Sequence, residues 1–147
     1  MKHIKTCAIA AIAAVILSGL ASAAEDAPPR PIGPAFKNFP LDQTWALRTI
    51  NDKPIPAGLD VSLRIDGNLR GSGYSGCNAW SAALYPVKEQ HLLMGPIAIT
   101  KKQCGKDVMT VETGFLGALS GNPTWDLVNG ELVVKGPRGS LRFDRSL

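Results

Sequence analysis

Short runs of alternating apolar and polar residues recur along the chain from Leu41 onwards, with turn signals between them. In the run LDVSLRI, Val61, Leu63 and Ile65 fall on one side and polar residues on the other, as in a half-buried strand. The turn signal Asp66-Gly67-Asn68 follows, and residues 69–74 can return as the second arm of a hairpin. Strands joined by hairpins pair antiparallel, so this pattern predicts an antiparallel sheet. The remaining strands are predicted at TWALRTI, HLLMG, PIAIT, TWDLV, ELVVK and SLRFD.

One segment has helical periodicity instead. In residues 107–119, DVMTVETGFLGAL, Val111, Phe115 and Leu119 recur at four-residue spacing, and Asp107 is placed to cap the helix start. The order is therefore strands, one helix, then strands. It predicts an α+β fold: a curved antiparallel, barrel-like sheet of about seven to eight short strands with one covering helix.

The N-terminus predicts export. Lys2 and Lys5 come first, an unbroken run of apolar and small residues follows, and Ala-Ser-Ala occupies positions 21–23. This pattern predicts a signal peptide over residues 1–23, cleaved after Ala23. The alternative is a transmembrane anchor, but the run is short for a bilayer. Because Cys7 lies inside the apolar run rather than at the cleavage point, we expect a periplasmic or secreted product without a membrane or lipid anchor.

Residues 24–40 are rich in proline and lack periodicity. Proline cannot donate to a helix or a ladder, so this leader is predicted to be an extended tether or a strap lying on the domain. The folded domain is then expected over residues 41–147.

The charge distribution argues against a nucleic-acid partner. Lys2 and Lys5 account for two of the 16 basic residues, which leaves 14 against 12 acidic residues after cleavage. Only Lys101 and Lys102 are adjacent among the remaining basic residues, so there is no basic stripe of the kind that binds nucleic acid.

Export leaves two cysteines, Cys77 and Cys104, in an oxidising compartment. Each has one possible partner, so we expect a disulfide between them, with free thiols as the alternative. Such a bond contributes roughly 3–4 kcal/mol in the chain-entropy model.

The stretch GSGYSGCNAW, residues 71–80, has the composition of an active-site loop, but the chemistry is incomplete. His91 is the only histidine after position 23, and an oxidised Cys77 is not a nucleophile. The segment Tyr-Ser-Gly-Cys lacks the second glycine of a nucleophile elbow, because Cys77 holds that place. Neither a CxxC nor an HxxxH zinc spacing occurs in the sequence. We therefore expect no enzyme activity, no catalytic residue, no metal and no cofactor.

A set of motifs from Leu41 to Phe143 points to a known family. The set comprises Trp45-Ala46-Leu47, Asp66-Gly67-Asn68, Gly76-Cys77-Asn78, Thr100 to Cys104, Glu112 with Phe115 and Leu116, and Leu141-Arg142-Phe143. On these residues the chain resembles the META domain, also called the HslJ-like family, of small exported bacterial proteins. The resemblance implies a compact α+β domain at the cell envelope, with relatives linked to heat response, drug tolerance, motility or virulence. It implies no catalytic residues.

These observations favour a stress-related or interaction domain that works as a monomer with an unidentified envelope protein. Tyr74, Asn78 and Trp80 are the candidate contact surface, because aromatic residues dominate binding hot spots. Core packing is the alternative for Trp80, and Asn78 is expected to satisfy backbone groups in its own turn.

Two other functions stay open. The chain could inhibit an envelope hydrolase, a lysozyme or a protease. It could also carry a small apolar ligand in a dry cavity lined by Leu63, Leu93 and Phe115.

Overall fold

The structure is a computed structural model, and it describes residues 37–146. The predicted signal peptide, residues 1–23, lies outside the described residues, as does the leader up to residue 36. No helix within residues 37–146 is long and apolar enough to cross a membrane.

Residues 37–146 form ten strands and one α-helix, with a short 3-10 helix at Lys88–Gln90. The elements are β1 (Thr44–Ile50), β2 (Lys53–Pro54), β3 (Ser62–Ile65), β4 (Arg70–Tyr74), β5 (Ala79–Val87), β6 (His91–Met94), β7 (Ala98–Ile99), α1 (Lys106–Leu119), β8 (Thr124–Val128), β9 (Glu131–Gly136) and β10 (Gly139–Arg145).

All strand pairs are antiparallel, and the sheet curves into a ring. The strand order is β10-β9-β8-β6-β5-β4-β3-β1-β2, and β1 also pairs with β10. The ring is held by the fewest strand contacts between β6 and β8, which share only the residue pair His91–Thr124. The predicted α+β class, a curved antiparallel sheet with one helix, is confirmed. The strand number exceeds the prediction, and two of the ten, β2 and β7, have only two residues each.

The core lies inside the ring, under α1. Trp45, Val61, Leu63 and Ile65 are buried on the faces that alternation predicted. From the helix, Phe115 is fully buried and meets the strand side chains edge-on. Each such side chain contributes roughly 1.5–3 kcal/mol by leaving water, so burial of these side chains favours closure of the sheet around them.

The helix begins one residue earlier than predicted, and its cap differs. Its N-cap is Gly105, and no side chain caps it. The prediction that Asp107 caps the helix is therefore wrong. Asp107 lies in the first turn, where its carboxylate faces the positive end of the helix dipole instead.

The longest strand, β5, was not predicted. Its inward residues Trp80, Ala82 and Leu84 are buried, but its outward residues Tyr85 and Val87 are apolar as well. Because both faces carry apolar or small residues, the period-two signal disappears.

Candidate functional site

The segment Ser75–Asn78 joins β4 to β5 through a sharp turn. Gly76 has φ +97°, which a residue with a side chain rarely adopts. Ser75 closes the turn, because its backbone N–H donates to the carbonyl of Asn78 at 2.8 Å, and its Oγ lies 2.9 Å from the same carbonyl oxygen. The turn therefore directs the side chains of Cys77 and Asn78 away from the strand pair and towards the rest of the domain.

Asn78 connects this turn to two other parts of the chain. Its Oδ1 accepts hydrogen bonds from Thr100 Oγ1 at 2.8 Å and from the Lys102 backbone N–H at 2.7 Å. Its Nδ2 donates to both carboxylate oxygens of Glu112, at 3.2 and 3.1 Å. Asn78 thus satisfies groups in distant segments, and the prediction that it satisfies backbone groups in its own turn is wrong.

Glu112 lies on α1 and is only 7% exposed. Besides Asn78, Ser75 Oγ donates to its Oε2. A buried carboxylate is costly unless it is hydrogen-bonded, and here two neutral side chains supply the donors. The three side chains Ser75, Asn78 and Glu112, which we call the polar network, therefore fasten the β4–β5 turn to the helix.

Sequence reasoning missed the pairing of Ser75 with Glu112. One signal was available: Glu112 lies on the apolar stripe of the helix, next to Val111 and three residues before Phe115. A carboxylate at such a position must be buried with donors or be functional. Ser75 carried no comparable signal, because serine is common in turns.

Cys77 and Cys104 meet beside this network. Their Sγ atoms lie 2.05 Å apart, at bonding distance. Cys77 is 3% exposed, whereas Cys104 is on the surface just before α1. The structure thus brings together the two cysteines that the sequence analysis paired, and it holds the irregular segment 100–105 at both of its ends.

The predicted contact surface is not formed as proposed. Asn78 and Trp80 are 2% and 3% exposed, so neither can meet a partner. Trp80 packs edge-on against Phe115, with ring centroids 5.7 Å apart, and its Nε1 donates to Ser62 O at 3.3 Å. The inclusion of both residues in a contact surface is therefore corrected, and core packing is the role of Trp80. Tyr74 remains partly exposed, with its hydroxyl 3.3 Å from Lys102 Nζ.

The three residues predicted to line a ligand cavity do not lie together. Leu63 and Phe115 are completely buried in the core, whereas Leu93 is 44% exposed on the outside of β6. The reason is the register: Leu92, not Leu93, points inward from β6.

His91 and Cys77 have separate environments. His91 Nδ1 lies 3.4 Å from the carbonyl of Asn122, at the start of β6. Within residues 37–146, no group of three or more histidine, cysteine or acidic side chains is arranged to hold a metal ion.

The family model of the META domain matches residues 38–146 of the chain. The chain belongs to the META-domain family. Some of the residues on which the resemblance rested, Gly76-Cys77-Asn78, Thr100, Cys104 and Glu112, meet in and around the polar network. In this META domain, that part of the sequence pattern therefore corresponds to one connected piece of the structure.

Two solved structures are similar to this META domain. One is the NMR structure of a protein from Burkholderia xenovorans, with 22% identity and a TM-score of 0.59; the match covers 82% of this chain and 99% of that protein. The other is an NMR structure with 18% identity and a TM-score of 0.60, covering 69% of this chain and 87% of the other. At these identities the likeness shows the fold. No curated protein matches the chain.

Proposed function

We propose that the chain is an exported, non-enzymatic META domain of the cell envelope, a stress-related or interaction domain stapled by a Cys77–Cys104 disulfide. The observation that carries this proposal is the state of the polar network. Ser75, Asn78 and Glu112 are polar side chains of types that catalytic sites use, and all three are buried and hydrogen-bonded within the network. Their arrangement supports a role in holding the domain together.

Export is supported by the sequence pattern over residues 1–23 and by the position of the two cysteines. A disulfide persists in an oxidising compartment such as the periplasm. The test is to express the full chain in a bacterial host and to measure the intact mass of the periplasmic form. We expect a product beginning at Ala24 and two hydrogens lighter than the reduced chain. A product that keeps residues 1–23, or one with two free thiols, would contradict the proposal.

The non-enzymatic role can be tested by separating stability from activity. Glu112→Gln weakens the network, and Ile65→Val removes a buried methylene at a cost of about 0.5–1.5 kcal/mol without touching it. We compare survival under envelope stress for cells that carry each variant. The growth temperature of each strain is chosen so that the two variant proteins have the same free energy of unfolding. Equal effects support a structural network. A much larger loss for Glu112→Gln at equal stability would point to catalysis.

A further inference from the structure

Strand β8 has an open edge. On one side it pairs with β9 along its whole length, from Thr124 to Val128. On the other side it pairs with β6 only at Thr124. From Trp125 to Val128, no strand within the described residues covers this edge.

Side chains take the place of the missing strand. Gln90 Nε2 donates to the Trp125 carbonyl at 2.8 Å, and Lys37 Nζ donates to the Leu127 carbonyl at 2.8 Å. The Leu127 backbone N–H donates to Asp126 Oδ1 at 2.7 Å. These three backbone groups are the ones that a further antiparallel strand would bond. Edges of this kind pair readily with another extended chain unless they are blocked.

The Lys37 and Gln90 side chains that occupy the edge of β8 can be displaced. Lys37 Nζ also lies 2.5 Å from Asp126 Oδ1, but both side chains are nearly half exposed, at 45% and 48%. Exposed ion pairs hold weakly in water. Gln90 follows Glu89, and both have φ near +60°, a left-handed conformation that is unfavourable for residues with side chains. A bound strand can therefore displace the Lys37 and Gln90 side chains at small cost.

Two depressions lie beside the edge, and Glu89, Gln90 and Trp125 line both. One, of about 740 Å³, is also lined by Phe39 and Val87 and by polar residues such as Lys88. The other, of about 580 Å³, is also lined by Asp126, Val128 and Val133. Successive side chains of a strand point to opposite faces, so the side chains of one added strand would point alternately to the inner and the outer face of the sheet.

Each face of β8 selects a type of side chain. The inner face carries Trp125, which is buried, and Leu127, which packs against the core. The outer face presents the Asp126 carboxylate, which needs a cation once Lys37 has left. Lys37 and Phe39 already supply this chemistry from the chain itself, a cation at Asp126 and an aromatic ring 4.9 Å from that of Trp125.

We infer that the edge of β8 binds an extended peptide of the pattern apolar–basic–apolar, added as an antiparallel strand, and that Lys37 closes the edge when no peptide is bound. The basic residue pairs with Asp126, and the apolar residues lie opposite Trp125 and Leu127. Affinity comes from main-chain hydrogen bonds and specificity from the alternate side chains. The inference rests on the proposal that this META domain is an interaction domain, and it names the surface and the partner.

The test uses the purified ¹⁵N-labelled protein and the fluorescein-labelled peptide acetyl-Ser-Thr-Val-Arg-Val-Thr-Ser-amide. We expect saturable binding by anisotropy and amide shift changes centred on residues 125–128. Lys37→Ala should bind roughly fivefold more tightly, because one ion pair and one hydrogen bond no longer compete. Arg48→Ala is the matched control, since it breaks the exposed Arg48–Asp144 pair elsewhere and should leave peptide affinity unchanged.

Two altered peptides test the mode of binding. N-methylation of the valine before the arginine removes the donor to Leu127 O, and replacement of the arginine by glutamate opposes Asp126. Each should weaken binding at least about tenfold.

Three results would overturn the inference: shifts elsewhere on the domain, no gain in affinity from Lys37→Ala, or equal binding of the N-methyl peptide. Concentration-dependent dimerisation of Lys37→Ala would assign the edge to a second copy, and binding only after deletion of residues 24–36 would assign it to the chain's own leader. Either outcome also overturns the inference. A failure here leaves export and the disulfide standing, because the intact-mass measurement tests those separately.

Discussion

Asn78 Nδ2 donates to both carboxylate oxygens of Glu112, so a turn in the sheet and helix α1 share one buried hydrogen-bonded pair. The two residues are 34 positions apart in the chain. Removing one partner leaves the other buried without its bonds, and that cost exceeds the net value of the bonds themselves.

Glu112→Ala should therefore destabilise the domain strongly. The substitution removes the buried carboxylate that accepts hydrogen bonds from Ser75 Oγ and Asn78 Nδ2. We expect a loss of about 2–4 kcal/mol in the free energy of unfolding, measured by urea titration. The control is Thr113→Ala on the exposed side of the same helix, which should change stability by less than about 0.5 kcal/mol. A loss no larger than that of the control would mean that the network contributes little.

Reduction of the Cys77–Cys104 bond should destabilise the domain by about 3–4 kcal/mol, because the sequence separation of 27 residues closes a sizeable loop in the unfolded chain. The measurement is thermal unfolding with and without a dithiol. The double variant Cys77→Ala with Cys104→Ala is the control, and its unfolding should not respond to the dithiol. If the unsubstituted protein also fails to respond, the cysteines are not bonded.

The fold was readable from the sequence where one face of a strand is apolar and the other polar. Val61, Leu63 and Ile65 alternate in this way, and Asn129-Gly130 has the two positive φ values that a tight hairpin requires. Strand β5 was not readable, because Tyr85 and Val87 are exposed apolar residues on its outer face.

The sequence predicted several of the residues that belong to the site, but it did not predict how they are arranged. The pairing of Cys77 with Cys104 follows from counting cysteines, whereas the burial of Asn78 depends on Thr100 and Glu112, which lie far away in the sequence. The open edge of β8 could not be predicted from the sequence either, because it depends on how few residues of β6 pair with β8.

The ion pair between Lys37 and Asp126 should make a small, pH-dependent contribution to stability. The hydrogen bond from Lys37, more than any other contact, lowers the pKa of the Asp126 carboxyl below its ordinary value. A carboxyl with a lowered folded-state pKa stabilises the protein above its unfolded pKa, and the contribution is lost as the pH falls through the folded value.

We therefore expect Lys37→Ala to cost no more than about 1 kcal/mol at pH 7, since both side chains are nearly half exposed. The difference from the unsubstituted protein should shrink as the pH falls below about 4, as the carboxylate is protonated. Urea unfolding of both proteins at neutral and acidic pH measures it. A difference that grows on acidification would contradict the assigned sign.

Trp80→Ala distinguishes the core role of this residue from the contact role that its loop suggests. Trp80 is 3% exposed, and its ring meets Phe115 edge-on, so truncation removes a large side chain from the centre of the ring and opens a cavity. We expect a loss of about 3–5 kcal/mol in the free energy of unfolding. Tyr85→Ala is the comparison, because Tyr85 is 44% exposed on the outer face of the same strand and its truncation should cost far less. Denaturant titration followed by circular dichroism measures both variants. If the Trp80→Ala protein is as stable as the Tyr85→Ala protein, the core role of Trp80 is wrong and the contact role is again the better explanation.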